Sequence, residues 1–394
     1  MKYTVKYKLI LFNIFIFMFS IFLYGCSSDK IELNEVSVVM GMGIDKISGD
    51  RPFLLTLEII NPKSGKGDNN ASGKENKSIV KVSTGTSIFD AIQNFSKNNS
   101  TALDFSHAKI IIFSRNLCES EVSDILDYLN RNRQIRSTNW IVVANKTARE
   151  ILESRIPGED ITSRGVTNMM NHFKKDPSIL PVTLNSFIIE SKKESRTSFA
   201  PVIELEKSKD NINGKVIIEK TAVFKNSRLI GILTNEESKN LLWLIDYSKG
   251  HMAVSLVKSV KNNETITADI FKKSNRITPH ITEDGTNIEI QCTGDAFIRE
   301  IQNITVTPEI LNKLEHDIET VLTNQLDELI DKSQKHFNAD FVGFSTKIYN
   351  NHPQEWINMK KNWDKTFPNI NYTITFKIKI TNIGIIKDSV VSNN

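Results

Sequence analysis

The chain has 394 residues, which exceeds the usual size of one domain and predicts two or three. It contains 39% hydrophobic and 24% charged residues, an ordinary composition for a folded globular body rather than a disordered chain. The formal net charge is +4 at pH 7, and Lys2, Lys6 and Lys8 at the N-terminus contribute three of these charges. The rest is nearly neutral and evenly mixed, which excludes the clustered basic charge of a nucleic-acid-binding protein.

The N-terminal segment has the pattern of a targeting signal. The lysines precede an almost uninterrupted apolar run over residues 9–24, and the chain turns polar at Ser27. A basic region, an apolar region of about fifteen residues and a small residue before a break are typical of a secretory signal. Leu23-Tyr24-Gly25-Cys26 resembles the bacterial lipobox, in which a peptidase cuts before a cysteine whose thiol has been acylated. We therefore predict a lipoprotein signal peptide over residues 1–25 and a lipid anchor at Cys26.

Such an anchor would hold the downstream chain at a membrane surface, because a multiply acylated cysteine buries enough methylene groups for stable attachment. The alternative interpretation is an uncleaved N-terminal membrane helix, although the apolar run is marginal for a span of about twenty residues. Both interpretations place residues 27–394 outside the cytoplasm. A cytoplasmic enzyme is therefore not expected.

Two cysteines remain once Cys26 is assigned to the anchor. Cys118 and Cys292 could form a disulfide in an oxidising compartment, but each occurs singly, and we favour two separate buried or half-buried thiols. The chain has no CxxC motif and no Cys/His cluster with zinc spacing. We predict no metal site and no cofactor.

Strands and helices alternate in the first half of the chain. Residues 36–44, 53–60, 79–83, 108–114 and 140–144 are predicted strands, because they are rich in β-branched and aromatic side chains or strongly apolar. Amphipathic helices are predicted after Ser87, over residues 120–130 and over residues 147–152. The signal weakens over residues 156–193. This alternation indicates a mixed sheet covered by helices.

A charged, turn-prone stretch at residues 206–214 is predicted to be a linker between an N-terminal α/β domain over residues 27–205 and a C-terminal α+β region over residues 215–394. The second region begins with a predicted hairpin and a helix capped by Asn235. Three strands of an antiparallel sheet, a long helix beginning at Pro308, a short helix opened by Pro353 and a half-buried strand over residues 372–380 follow. The predicted fold class is mixed α/β with more than one domain.

Few residues suggest catalysis. The histidines show no HExxH or HxH spacing, and the chain lacks a GxSxG or a GxxxxGK motif. Asp104 and His107 could form an acid–base pair, but a histidine satisfied by local hydrogen bonds is the more common outcome. The seven histidines are His107, His172, His251, His280, His316, His336 and His352. We predict no catalytic residue and hence no enzyme.

Three other patterns have both a functional and a structural interpretation. Gly41-Met42-Gly43-Ile44-Asp45 follows a strand as a nucleotide-binding loop does, but it lacks the third glycine, so we expect the glycines to admit another backbone. Trp356 and Trp363 could stack a sugar or contact a partner, and core packing is favoured over both. A basic cluster follows the second helix and is interpreted as a solvated helix end. It consists of Arg131, Arg133 and Arg136.

Several short motifs, taken in order, resemble one known family. They are Cys26-Ser27-Ser28-Asp29-Lys30, Gly41-Met42-Gly43-Ile44-Asp45, Phe105-Ser106-His107-Ala108-Lys109, Ala222-Val223-Phe224-Lys225, Leu229-Ile230-Gly231-Ile232-Leu233, and Trp356 and Trp363 followed by Phe367-Pro368. No single motif is sharply specific. Their order and spacing resemble the C-subunit family of spore germinant receptors, the Ger(x)C lipoproteins, over essentially the whole mature chain.

The resemblance implies a non-enzymatic lipoprotein on the outer face of the spore inner membrane, which assembles with a membrane-embedded A subunit and a transporter-like B subunit. It also implies three α/β domains of unusual topology, so that the second region would divide near residue 300. Two other function classes stay open. One is a solute-binding lipoprotein that captures the germinant itself, and the other, less supported by any nucleophile and base, is an extracytoplasmic hydrolase.

Overall fold

The computed structural model describes residues 36–61, 77–97, 99, 101–175, 178–208, 211–245, 253–259, 264–283, 285–300 and 307–382, together with residues 7, 12–15 and 18. The predicted signal peptide and the predicted anchor, Cys26, lie outside the continuous described segments. No helix in the described part of the chain combines the length and the apolar composition needed to cross a bilayer.

The strands follow the predicted pattern of β-branched and apolar residues. They are β1 (Val36–Lys46), β2 (Phe53–Ile60), β3 (Ser78–Gly85), β4 (Ala102–Asp104), β5 (Ile110–Ser114), β6 (Trp140–Ala144), β7 (Thr197–Ser208), β8 (Asn211–Lys225), β9 (Arg228–Leu233), β10 (Ala253–Ser259), β11 (Glu264–Thr282), β12 (Gly285–Glu300) and β13 (Asn371–Asn382). The mixed α/β fold class is confirmed.

The helices begin and end as follows. They are α1 (Ile88–Lys97), α2 (Arg115–Cys118), α3 (Ser123–Arg131), α4 (Ala148–Glu153), α5 (Thr162–Lys175), α6 (Leu184–Lys192), α7 (Asn235–Leu244), α8 (Pro308–Asp331), α9 (Phe344–Asn351), α10 (Pro353–Met359) and α11 (Trp363–Thr366). A π-helical segment, Lys332–Phe337, extends α8, and 3₁₀ turns flank α11 at Lys360–Asn362 and Phe367–Asn369.

Among the described residues, β1 to β9 form one sheet in the order β3-β2-β1-β5-β6-β7-β8-β9, and β4 pairs with β1 beside this path. Its centre is parallel, because β1, β5, β6 and β7 run in one direction. Antiparallel hairpins complete both ends. The predicted mixed sheet is therefore present, with β5 and β6 buried along their whole length as expected for central parallel strands.

The predicted linker at residues 206–214 is corrected by this sheet. Strand β8 pairs with β7 from Thr197 opposite Lys225 to Ser208 opposite Asn211, so most of the stretch belongs to a long hairpin inside the nine-stranded sheet. Charged and turn-prone residues occur at the end of a hairpin as well as in a linker, so the composition alone does not separate the two. The division of the chain into domains stays a prediction.

A second sheet contains β10 to β13 in that order. The first three strands are antiparallel, as predicted, whereas β13 pairs with β12 in parallel. The long helix α8 begins after the N-cap Thr307 with Pro308 in its first turn, as predicted. It contacts β13 and buries one apolar stripe. The buried residues of that stripe are Leu314, Ile318, Leu322, Leu326, Leu329 and Ile330.

Two helices lie where the sequence signal was weak. Helices α5 and α6 occupy much of the 156–193 region. The polar side of α5 and its glycine dilute the apolar stripe, since the buried residues of this helix include Thr162, Ser163 and Gly165. Helix α6 begins with a capping box formed by Thr183 and Ser186, in which serine stands where glutamate or glutamine is usual.

Candidate functional site

The segment Gly41-Met42-Gly43-Ile44-Asp45 lies in β1 and holds two helices. The Asp45 carboxylate accepts hydrogen bonds from the backbone N–H of Ala148 at 2.7 Å and of Arg149 at 3.1 Å, at the N-terminus of α4. Burial of Asp45 raises the pKa of its carboxyl group. The acidic side chain therefore caps a helix and occupies the N–H groups that a phosphate would need.

The two glycines of this segment are required by close packing. A Cβ atom at Gly41 would lie 2.0 Å from Oγ of Ser163, and one at Gly43 would lie 2.9 Å from Cβ of Ala148. Each glycine thus admits a close neighbour, but the prediction that this neighbour is another backbone is wrong. The nearest atoms belong to side chains of α5 and α4.

Glu58 on β2 is a buried carboxylate that the sequence did not reveal. Its two oxygens accept hydrogen bonds from the backbone N–H of Thr162 at 2.8 Å and of Ser163 at 2.7 Å, and from the Ser163 and Ser78 hydroxyls. The side chain is only 1% exposed. It lies at the N-terminus of α5, and the alternation of polar and apolar residues in β2 did not indicate that Glu58 is buried, because both faces of this strand are covered.

Asp104 and His107 do not form a catalytic pair in this structure. The Asp104 carboxylate accepts hydrogen bonds from Ser106, through the backbone N–H at 2.8 Å and the hydroxyl at 2.9 Å. These bonds lower the pKa of Asp104, and nearby His107 makes only a smaller electrostatic contribution. His107 is exposed on the turn before β5. The arrangement is a local turn.

The cysteines and histidines give no metal site within the described segments. Cys118 and Cys292 are free and buried, which confirms the preferred interpretation of two separate thiols. Burial raises the pKa of both thiols. No group of three His, Cys, Asp or Glu side chains with metal-binding geometry occurs there.

Trp356 and Trp363 pack in the core, as favoured. Their rings meet edge to face with centroids 4.9 Å apart, and Trp363 also lies against Phe367. Both side chains are buried. The basic cluster that follows α3 is exposed, and Arg131 pairs with Asp127 one helical turn away at 2.7 Å. Neither feature presents a ligand site.

The hairpin formed by β8 and β9 joins the nine-stranded sheet to the C-terminal helices. Lys225 donates hydrogen bonds to the backbone oxygen of Asn338 at 2.7 Å and to the carboxylate of Asp364 at 2.8 Å. Gly231 lies against Phe337, since a Cβ atom there would come within 2.1 Å of the ring. Two of the motifs that carry the family resemblance therefore form a contact between distant parts of the chain.

Asp340 lies at the same junction. Its carboxylate accepts hydrogen bonds from the backbone N–H of Gly343, Phe344 and Ser345 at 2.6–2.9 Å and so caps α9. Its backbone oxygen accepts a hydrogen bond from the hydroxyl of Thr197 on β7. Burial raises the pKa of Asp340 to about 6 in spite of these bonds.

Two cavities lie beside the contacts described above, one next to Glu58 and the other next to Thr197. A polar one of about 970 Å³ lies between the start of β3 and the connection from α4 to α5, beside an ion pair of Lys77 and Asp160. An apolar one of about 400 Å³ lies between α6, β7, the end of α7 and the segment 341–350. The sequence predicted neither, because each is bounded by residues that are far apart along the chain.

Known proteins match the chain along nearly its whole length. A family model described as "Spore germination protein N-terminal domain" matches residues 29–205, and one described as "Spore germination B3/ GerAC like, C-terminal" matches residues 219–384. Spore germination protein B3 of Bacillus subtilis (strain 168) is 23% identical over 95% of this chain and 98% of its own length. Spore germination protein KC of the same organism is 25% identical over 88% of this chain and 89% of its own length.

A solved structure has the same fold. The crystal structure of the GerBC protein is similar with a TM-score of 0.58 at 20% identity, and the alignment covers 87% of this chain and 97% of that one. The fold and both family models agree with the motif order found in the sequence. This chain therefore belongs to the Ger(x)C family of spore germination proteins.

Proposed function

We propose that this chain is the C subunit of a nutrient germinant receptor, anchored by lipid at Cys26 and acting without catalysis through contacts with membrane-embedded A and B subunits. The observation that carries this proposal is the pair of family matches over residues 29–205 and 219–384. Spore germination proteins B3 and KC, which the chain matches over 98% and 89% of their own lengths, also support the proposal. We place the subunit on the outer face of the spore inner membrane.

The internal contacts fit a body that works by coupling partners. Allosteric coupling requires that a change in one region alters another region. Tightly packed contacts between the two regions can transmit such a change. Lys225, Gly231 and Asp340 join the nine-stranded sheet to the helices that follow α8. A partner that binds one region would thereby act on the other.

The anchor is tested by Cys26→Ala, because alanine has no thiol to acylate. We expect the variant to move from the membrane to the soluble fraction of spore lysates and the nutrient response to weaken. The measurements are immunoblots of both fractions, the mass of the mature N-terminal peptide and the germination rate with nutrient. Ser28→Ala is the matched control and should behave as wild type.

The partners are tested by affinity capture of the full chain from spore membranes. Membrane-embedded receptor subunits should copurify with wild type. A soluble, unacylated chain that supports full germination would overturn the anchor, and a capture without membrane-embedded subunits would overturn the receptor role.

A further inference from the structure

The apolar cavity has the position and size of a small-ligand site. Its volume of about 400 Å³ falls in the range of pockets that hold small molecules, roughly 300–1,000 Å³. It opens where three parts of the chain meet, namely α6 with β7, the end of α7 and the segment that leads into α9. Junctions of this kind are preferred places for ligands.

Large apolar side chains form the walls. Phe187 is fully buried and is held edge to face against Phe224 at a centroid distance of 5.0 Å, so this wall is fixed by packing. Seven of the apolar lining residues are buried, which makes the walls part of the core rather than a loose surface groove. They are Leu180, Val182, Phe187, Phe199, Leu244, Phe341 and Val342.

The charged lining residues are few and unbalanced. They are Glu190, Lys193 and Lys347, which together carry one net positive charge. Glu190 and Lys193 pair with each other at 2.6 Å. Lys347 is half-buried on α9, and no carboxylate among the residues that the structure describes lies within ion-pair distance of it. An ammonium group that has no carboxylate partner and lies beside an apolar cavity favours an anionic ligand.

We propose that this cavity binds a small amphipathic carboxylate, with its apolar part against the Phe187 and Phe199 walls and its carboxylate paired with Lys347. Such a ligand would contact α6 and α9 together, and it would therefore stabilise the arrangement of the two regions by binding to it. The proposal goes beyond the receptor role and does not depend on it, because binding is a property of this chain alone.

The test compares an acid with its neutral counterpart. The full chain is placed in lipid nanodiscs and titrated with 4-(4-fluorophenyl)butyrate or with 4-(4-fluorophenyl)butanamide, and binding is followed by ¹⁹F NMR with empty nanodiscs subtracted. We expect saturable binding of the acid and at least about tenfold weaker binding of the amide, since a charge-assisted hydrogen bond is lost.

Two variants locate the site. Lys347→Gln should weaken binding of the acid at least about tenfold and leave binding of the amide unchanged. Lys361→Gln, which removes an exposed lysine outside the cavity, is the control and should bind the acid as wild type does. Val182→Phe should fill the cavity and abolish binding of both compounds, with circular dichroism used to verify its fold.

Several outcomes would overturn the proposal. They are the absence of saturable binding by wild type, equal affinity for the acid and the amide, and unchanged affinity for the acid in Lys347→Gln. Membrane attachment and copurifying subunits are measured separately, so failure of the ligand site leaves the receptor role standing, and the reverse also holds.

Discussion

In both sheets, buried or half-buried carboxylates link a strand to a helix, but the carboxylates belong to the strands in one sheet and to the helix in the other. In the nine-stranded sheet, Asp45 and Glu58 extend from strands and accept hydrogen bonds from the first N–H groups of α4 and α5. In the four-stranded sheet, Glu315 and Glu319 extend from α8 and accept hydrogen bonds from the N–H groups of Ile380 at 2.7 Å and Ile378 at 2.9 Å. The first arrangement provides acceptors for the N–H groups at helix N-termini, and the second provides acceptors for N–H groups along the edge of a strand.

The geometry of the second arrangement follows from element dimensions. Residues four apart on a helix are separated by about 6 Å along its axis, and residues two apart on a strand by about 6.6 Å. Glu315 and Glu319 therefore match alternate N–H groups along the free edge of β13. An edge covered in this way cannot pair with a strand of another molecule through those groups.

Burial is the physical difference between the two arrangements. Asp45 and Glu58 are 2% and 1% exposed, whereas Glu315 and Glu319 keep partial access to water. A donor whose buried acceptor is removed is left without a partner, while water can take the place of an acceptor that was half-exposed. We therefore expect equal substitutions to have unequal effects in the two regions.

The largest effect is expected for Glu58→Ala. Removal of the carboxylate leaves the N–H groups of Thr162 and Ser163 unpaired in the core, which should lower the free energy of unfolding by about 4 kcal/mol. Denaturant unfolding measures the change. Glu58→Gln retains one acceptor oxygen and should lose about half as much, and Glu153→Ala, which removes an exposed ion pair, should change little. Equal losses for Glu58→Ala and Glu153→Ala would contradict the role of burial.

Asp340 is a buried carboxylate outside the nine-stranded sheet, and it therefore tests whether burial alone makes a carboxylate important for stability. Its pKa is raised from 3.8 to about 6, so between these values the folded protein binds more protons than the unfolded chain. Its contribution to stability should therefore fall as pH rises from about 4 to about 6, by roughly 3 kcal/mol in total. We expect Asp340→Asn to gain stability relative to wild type across this window.

The measurement for Asp340 is chemical denaturation at a series of pH values. Asp45 carries a raised pKa in both proteins, so its effect cancels in the difference between wild type and variant. Asp124→Asn, at an exposed position on α3, is the control and should track wild type. A pH-independent difference between wild type and Asp340→Asn would show that the carboxyl group does not titrate with folding in this range.

The smallest effects are expected at the strand edge. Glu315→Ala and Glu319→Ala should each lower the free energy of unfolding by about 1 kcal/mol, because water can replace the lost acceptor in part. Glu328→Ala on the same helix controls for helix propensity, as this glutamate is exposed and has no such hydrogen bond. Losses at Glu315 as large as that at Glu58 would remove the distinction between the two regions.

The sequence by itself determined most of the elements and the absence of a recognisable catalytic motif. Apolar periodicity located α1, α8 and the half-buried strand β13, because a repeat of 3.6 or 2 residues is a local property. The order of short motifs also led to the correct family. Helix α5 was missed because polar residues and a glycine interrupt its apolar stripe, and because Glu58, which caps its N-terminus, lies 104 positions before Thr162.

Only the tertiary structure decided how distant residues meet. A charged, turn-prone composition such as that of residues 206–214 is the same for a linker and for the end of a hairpin, and the pairing of β8 with β7 makes most of this stretch part of the sheet. The parallel direction of β13 depends on α8 and the helices between, which bring the chain back to the same end of β12. Glycines 41 and 43, the cap at Asp340 and the apolar cavity likewise depend on contacts across the fold, and periodicity along the chain contains no information about such contacts.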